Sequence, residues 1–118
     1  MADMGLFVGW GAIHPGREEK ARKVFAEAMG WYASLQQEGR IESWTVAILE
    51  PHGGDLDGFA LLRGSGEQLS AVRTTDEFRR LNSRALAVVG NLGVIFATLD
   101  AAAMQFVQDA AAATADLT

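Results

Sequence analysis

Apolar residues fall into two kinds of pattern along this chain. Four stretches, 5–13, 41–49, 58–63 and 92–99, are apolar with hardly a break. The first reads G-L-F-V-G-W-G-A-I and the last L-G-V-I-F-A-T-L. A half-exposed antiparallel strand alternates apolar and polar residues, whereas a strand covered on both faces does not. These stretches therefore predict four strands with no solvated face. Between them the apolar spacing changes to three and four, which predicts helices. Residues 17–38 carry the stripe Ala21, Val24, Phe25, Ala28, Tyr32 and Leu35. Glu18 and Glu19 suit its first turn, and each precedes a base (Arg22, Lys23) by four residues. Gly39 is placed as a helix stop. A short helix is expected over 67–73. After a break at Thr74-Thr75, where Thr74 and Glu77 have capping-box spacing, another runs over 75–89. Its inner stripe is Phe78, Leu81, Asn82, Ala85 and Leu86. Asp100 reads as the N-cap of an alanine-rich helix through 113, and 114–118 as a frayed tail.

The segments joining these elements are rich in turn residues. His14-Pro15-Gly16 closes the first strand, and 50–58 holds turn formers at nearly every position. That short connection makes the second and third strands an antiparallel hairpin. The order is β-α-β-β-α-β followed by a helix. Right-handed crossovers put the helices on one face of the sheet, giving a ferredoxin-like βαββαβ α+β fold with a four-stranded antiparallel sheet. A length of 118 residues fits a single domain, 1–118. The chain's own helices cover one face of the sheet. A second copy of the chain is the simplest cover for the other.

On the L-F-V-G-W-G-A-I opening strand, the amphipathic helix 17–38, the split helix around T-T-D-E-F-R-R-L and the N-L-G-V-I-F-A final strand, the sequence resembles the dimeric α+β-barrel superfamily. The resemblance spans nearly the whole chain and lies in pattern, with no catalytic signature among its features. It implies a homodimer packed through sheet faces and a pocket between sheet and helices in each subunit. It does not imply one activity. The superfamily includes cofactor-free monooxygenases, muconolactone-type isomerases, haem-dependent enzymes, stress-responsive proteins and members with no known activity, and fold alone does not transfer function.

Charge and cysteine content narrow the field. The net charge is −5, and an acidic chain repels phosphate backbones, so no nucleic-acid partner is expected. Residues 63–84 are locally basic, with five arginines against three acids. That strip is either a solvated helix face or a surface for a small anion. The absence of cysteine excludes disulfides, thiolate metal sites and thiol nucleophiles. The N-terminus lacks a basic region ahead of an apolar stretch, and no apolar run reaches the ~18 residues of a membrane span. A cytoplasmic protein with no membrane partner is the expectation.

Candidate chemistry is sparse. His14 stands at the end of the first strand. It is either a general base at a pocket mouth or part of the H-P-G turn. His52, Asp55 and Asp57 are ligand-type residues in a turn-rich loop, but they lack the convergent set that a metal needs, so no metal is expected. Haem would require an axial ligand, for which only His14 offers itself, and no motif supports it; no cofactor is expected. Trp10, Trp31, Tyr32, Trp44, Phe59 and Phe78 come from different elements and would converge between helices and sheet. With Gly9, Gly11 and Gly30 beside them, they form either a packed core or a cleft for a planar apolar molecule. Asn82 on a buried stripe either bonds backbone or faces the pocket to orient a carbonyl or hydroxyl. Arg63 and Ser65, around the Gly64-Ser65-Gly66 turn, are a candidate anion nest.

Two functions of different class fit these residues. One is a small-molecule-binding homodimer with an apolar, aromatic-lined pocket. The other is a cofactor-free monooxygenase or isomerase acting on an aromatic or enolic substrate, with His14 moving a proton and Asn82 and a tryptophan positioning the substrate. A structural oligomer whose pocket is filled by its own side chains is a third.

Overall fold

The computed structural model describes residues 3–117. Met1, Ala2 and Thr118 lie outside it, and with them the start of the segment read for a leader and the last residue of the expected tail. The strands are β1 (Met4–Trp10), β2 (Ser43–Ile48), β3 (Gly58–Gly64) and β4 (Gly93–Thr98). They form one antiparallel sheet in the order β2-β3-β1-β4. Helices α1 (Glu18–Gln37), α2 (Gly66–Arg73) and α3 (Asp76–Leu86) pack together, α1 and α2 on the sheet, and α4 (Asp100–Ala113) follows β4. This is the ferredoxin-like α+β fold expected from the order of patterns. No described helix is long and apolar enough to cross a membrane.

Strand alternation assigns the two faces. Leu6, Val8, Ala60 and Leu62 point toward the helices and are buried with Tyr32, Leu35, Leu69, Val72 and Phe78. The opposite face carries rungs fixed by the register. Thr45, Leu61, Phe7 and Ile95 lie in one row, and Ala47, Phe59, Gly9 and Gly93 in the next. Phe7 stacks on Phe59 with ring centroids 5.2 Å apart, and Ile95 is 62% exposed. Both faces are thus apolar, and within one chain only one of them has helices over it.

Several boundaries differ from the sequence reading, each for a local reason. The first strand ends at Trp10, not Ile13. The carbonyls of Asp55 and Gly90 crowd the backbone of Gly11, where a Cβ would lie 2.9 and 3.0 Å from them. The Gly11 N–H donates to that Gly90 carbonyl at 2.8 Å, outside the strand ladders, and Ile13 forms an isolated bridge with Val89. Ile41 precedes β2 and is buried in the core. Helix α3 stops at Leu86, which is 58% exposed. A turn through Ala87 then carries Val88 and Val89 inward against Ala21 and Val24. Thr75, not Thr74, caps α3. Its hydroxyl accepts from the Phe78 N–H (3.1 Å) and donates to the Val72 carbonyl (2.7 Å), tying α2 to α3. Asp100 is the first residue of α4 and makes no cap bond. It adopts φ +53° and accepts from Arg63 at 2.9 Å. Residues Ala115–Leu117 form a 3-10 turn.

The core should respond as a close-packed one. Leu62→Ala removes a fully buried side chain facing α2, and such truncations cost about 2–5 kcal/mol. Chemical denaturation followed by tryptophan fluorescence should show that loss as a lower midpoint with an unchanged slope.

Candidate functional site

Beyond the C-terminal end of β1 the helices and sheet diverge, and the space between them is a cavity of about 830 Å³. Three turns of α1 form one wall, from Ala21 and Phe25 through Ala28 and Met29 to Tyr32. Leu81, Asn82 and Ala85 of α3 form another, with Val88, Val89 and Leu92 from the turn after it. Val8, Trp10 and Ile48 are the sheet's contribution, and the β2–β3 loop from Leu49 to Asp57 makes the rim. Trp10 is able to lie there because Gly58 is opposite it. A Cβ at Gly58 would sit 2.7 Å from the indole. The indole meets the Phe25 ring edge-on at 6.1 Å.

The lining is predominantly apolar, so its few polar groups define its chemistry. Tyr32 is buried, and that burial pushes its hydroxyl up to about 12. It therefore remains a neutral donor at any ordinary pH. Asn82 is half-buried on the same cavity. Among the described residues neither the Tyr32 hydroxyl nor the Asn82 carboxamide has a hydrogen-bond partner, and no polar side-chain atom is sealed off without one. Both groups therefore keep unused hydrogen-bonding capacity on residues that line the cavity. Arg22 and Asp57 supply one charge of each sign.

His52 is committed to the rim itself. Its Nδ1 accepts from the Gly54 N–H (3.3 Å), and its Nε2 lies 2.7 Å from the Leu56 carbonyl. Those partners fix the tautomer with the proton on Nε2. The ring folds the loop and has no nitrogen left for a metal or a haem iron. Among the described residues no group of three His, Asp or Glu side chains is arranged to hold a metal ion.

The other sequence candidates are dispersed. His14 is exposed and does not line the cavity. Its carbonyl accepts from the Arg17 N–H (3.0 Å) across Pro15 and Gly16 (φ +81°), the geometry of a type II turn. Trp31, Trp44 and Phe78 lie behind the cavity. Trp31 is 6.1 Å from both Tyr32 and Phe78, and Trp44 is 6.0 Å from Tyr32. Trp31 and Trp44 meet the tyrosine ring and Phe78 backs Trp31, none of the three bordering the space. Phe59 is on the opposite face of the sheet with Phe7. Ser65 caps α2 in a reciprocal capping box with Gln68, which takes both its hydroxyl and its N–H. Arg63 is held by Asp100. Gly30 faces solvent, and a Cβ there would meet nothing within 4 Å.

Sequence patterning missed Met29, Ile13, Leu49, Pro51 and Leu92 as lining residues. Phe25 carries a signal that reads as core. It sits on the α1 stripe yet is 39% exposed, because the stripe there borders the cavity and not the sheet.

The two helical walls are clamped by Arg84 and Glu27, with N···O distances of 2.7 and 3.0 Å. The hydrogen bond from Arg84 holds the Glu27 carboxyl below its ordinary value of 4.5. A carboxylate depressed in the folded state contributes stability that is present above its unfolded value and lost as pH falls through the folded one. Arg84→Met should therefore flatten the acid limb of a stability-versus-pH curve below pH 4.5 and leave its neutral region with the same shape; urea midpoints across that range measure it.

No family model matches the chain, and no curated protein does. Solved structures do. A dimeric protein of unknown function and ferredoxin-like fold from Bacteroides fragilis is 9% identical, with a TM-score of 0.59 over 82% of this chain and 97% of that one. SnoaB, a cofactor-independent oxygenase from Streptomyces nogalater, is 16% identical, with a TM-score of 0.57 over 84% and 95%. Hydroxynitrile lyase from Passiflora edulis is 9% identical, with a TM-score of 0.63 over 86% and 97%. At these identities the likeness is one of fold. The neighbours share the ferredoxin-like architecture of dimeric α+β-barrel proteins and differ in chemistry.

Proposed function

We propose that this chain is a homodimeric small-molecule-binding protein whose cavity takes a flat, uncharged, largely aromatic ligand bearing one or two hydrogen-bonding groups. The observation that carries this reading is the pair of unpartnered polar groups, Tyr32 hydroxyl and Asn82 carboxamide, set in an apolar cavity of about 830 Å³. Apolar walls with a few placed polar groups are how proteins bind such molecules. Trp10 and Phe25 offer ring faces and edges, Tyr32 can donate, and Asn82 can donate or accept. The balanced charges of Arg22 and Asp57 give an anion no advantage. The homodimer is supported by the apolar outer face of the sheet and by the dimeric fold neighbour from Bacteroides fragilis.

The second reading, a cofactor-free monooxygenase or isomerase acting on an aromatic or enolic substrate, is favoured by one comparison, the fold shared with a cofactor-independent oxygenase. In that reading Asn82 and Tyr32 would hold the carbonyl or enol oxygen against Trp10. His14 would serve only for proton exchange at a distance from the cavity, and Asp57 on the rim is a nearer carboxylate.

Binding is read from quenching of tryptophan fluorescence by 1-naphthol, a naphthoquinol and, as the charged comparison, 1-naphthoate. The neutral compounds should bind and the carboxylate should bind more weakly. Tyr32→Phe and Asn82→Ala each remove one hydrogen bond of about 0.5–1.5 kcal/mol, so each should weaken binding about three- to tenfold. No saturable quenching by any neutral compound, or wild-type affinity retained in both variants, would remove the proposal. Product formation from the quinol in air tests the second reading. Turnover insensitive to Asn82→Ala and Tyr32→Phe would dismiss it, and turnover insensitive to His14→Ala would dismiss that residue from it.

A further inference from the structure

Helix α4 is out of keeping with the rest of the molecule. None of its residues is buried, and among the described residues it packs mainly on β4 and the 3-10 turn that follows. Yet it is not polar all round. Ala103, Phe106, Val107 and Ala110 repeat at the three-four spacing of a buried stripe, with Met104 beside them. Gln105, Gln108 and Asp109 occupy the other side, and Gln105 donates to Asp109 at 2.8 Å. Met104, Phe106 and Val107 are each more than 60% exposed. An isolated helix of 14 residues is marginal in water even when rich in alanine. This one needs something to pack against, and its own chain leaves the Phe106–Val107 stripe exposed.

Two whole-molecule quantities say how much is missing. The chain exposes 7340 Å², whereas a folded monomer of this size exposes about 6,200 Å². Its radius of gyration is 16.4 Å, against about 13.5 Å for a compact chain of this length. The excess area, about 1,100 Å², exceeds the ~800 Å² that each partner contributes to a standard interface.

The start of α4 indicates where that partner lies. The helix leaves from the edge of the outer sheet face. The Leu99 side chain lies on that face, 3.0 Å from where a Gly5 Cβ would be. The bend at Asp100 is held by Arg63, whose register position is in the same outer row as Ser43 and Gly5. Helix α4 therefore starts beside the apolar outer face that carries Phe7, Phe59, Leu61 and Ile95.

We propose that α4 is an arm exchanged between two copies of this chain, with its Phe106–Val107 stripe packed on the partner and extending the sheet-face interface. This rests on the homodimer proposed above. It adds that the C-terminal helix is an intersubunit element whose helical state depends on the second copy.

The test uses the full chain throughout. Sedimentation equilibrium gives the dimer dissociation constant for the wild type, for Phe106→Asp/Val107→Asp, for Phe7→Asp on the sheet face, and for Gln108→Ala on the polar side of α4. Hydrogen exchange over residues 101–113 is followed in each. The expected result is at least a tenfold weaker dimer for Phe106→Asp/Val107→Asp, no change for Gln108→Ala, and α4 protection that disappears on dilution and in a monomeric Phe7→Asp. The body carries all three tryptophans, so unchanged tryptophan spectra show that it remains folded. An α4 variant that dimerises within about twofold of wild type overturns the arm, as does a helix that stays protected in the Phe7→Asp monomer. A helix that exchanges freely in the wild-type dimer does the same. In each of those cases dissociation of Phe7→Asp leaves the sheet-face dimer standing. If Phe7→Asp dimerises like wild type while the α4 variant dissociates, the sheet-face reading fails and the arm survives. A wild type that is monomeric at micromolar concentration ends both.

Discussion

A sheet has two faces, and here the chain supplies helices for one. That constraint organises the molecule. The inner face is closed by Leu6, Val8, Ala60 and Leu62 against α1 and α2, and its side chains are close to fully buried. The outer face carries Phe7, Phe59, Leu61 and Ile95 with no cover from the same chain. At about 25 cal/mol per Å² of apolar surface, leaving such a layer in water forgoes several kcal/mol that association would recover. The hydrophobic effect thus acts twice on one sheet, first to fold the chain and then to favour a second layer on it.

The lack of alternation in the strands is the legible trace of this constraint. It locates all four strands and, with the helical stripes between them, the ferredoxin-like order. What patterning resolves poorly are the places where the chain leaves a periodic element. An apolar residue just beyond a strand looks like more strand. Ile13 is such a case: beyond Trp10 the backbone bonds to the turn at 88–90 and not to a neighbouring strand. Val88 and Val89 look like the last turn of α3 but are buried by a turn that follows it. Two adjacent threonines compete for one cap, and the one whose hydroxyl also reaches the Val72 carbonyl takes the position.

The site is less legible than the fold. A stripe residue facing a cavity and one facing the sheet have the same spacing, so Phe25 and Leu35 cannot be told apart by pattern, although one is partly open and the other fully buried. Asn82 stands out because an amide on an apolar stripe needs a reason. Tyr32 is visible as an aromatic, but its unpartnered hydroxyl is not, since that depends on what surrounds the ring in space. The aromatics are recognisable as a set along the chain, and the fold then divides them. Trp10 and Tyr32 border the cavity, Trp31, Trp44 and Phe78 brace it, and Phe59 lies on the far side of the sheet.

The cavity and the core have walls in common. Val8, Val24, Tyr32, Leu81, Val88 and Val89 are among the most buried side chains of the protein, and each also borders the open volume. The open volume is thus subtracted from close packing, and the side chains that border it forgo dispersion contacts on one side. Any molecule that bound the folded chain there would add to its stability by mass action, completing the interior.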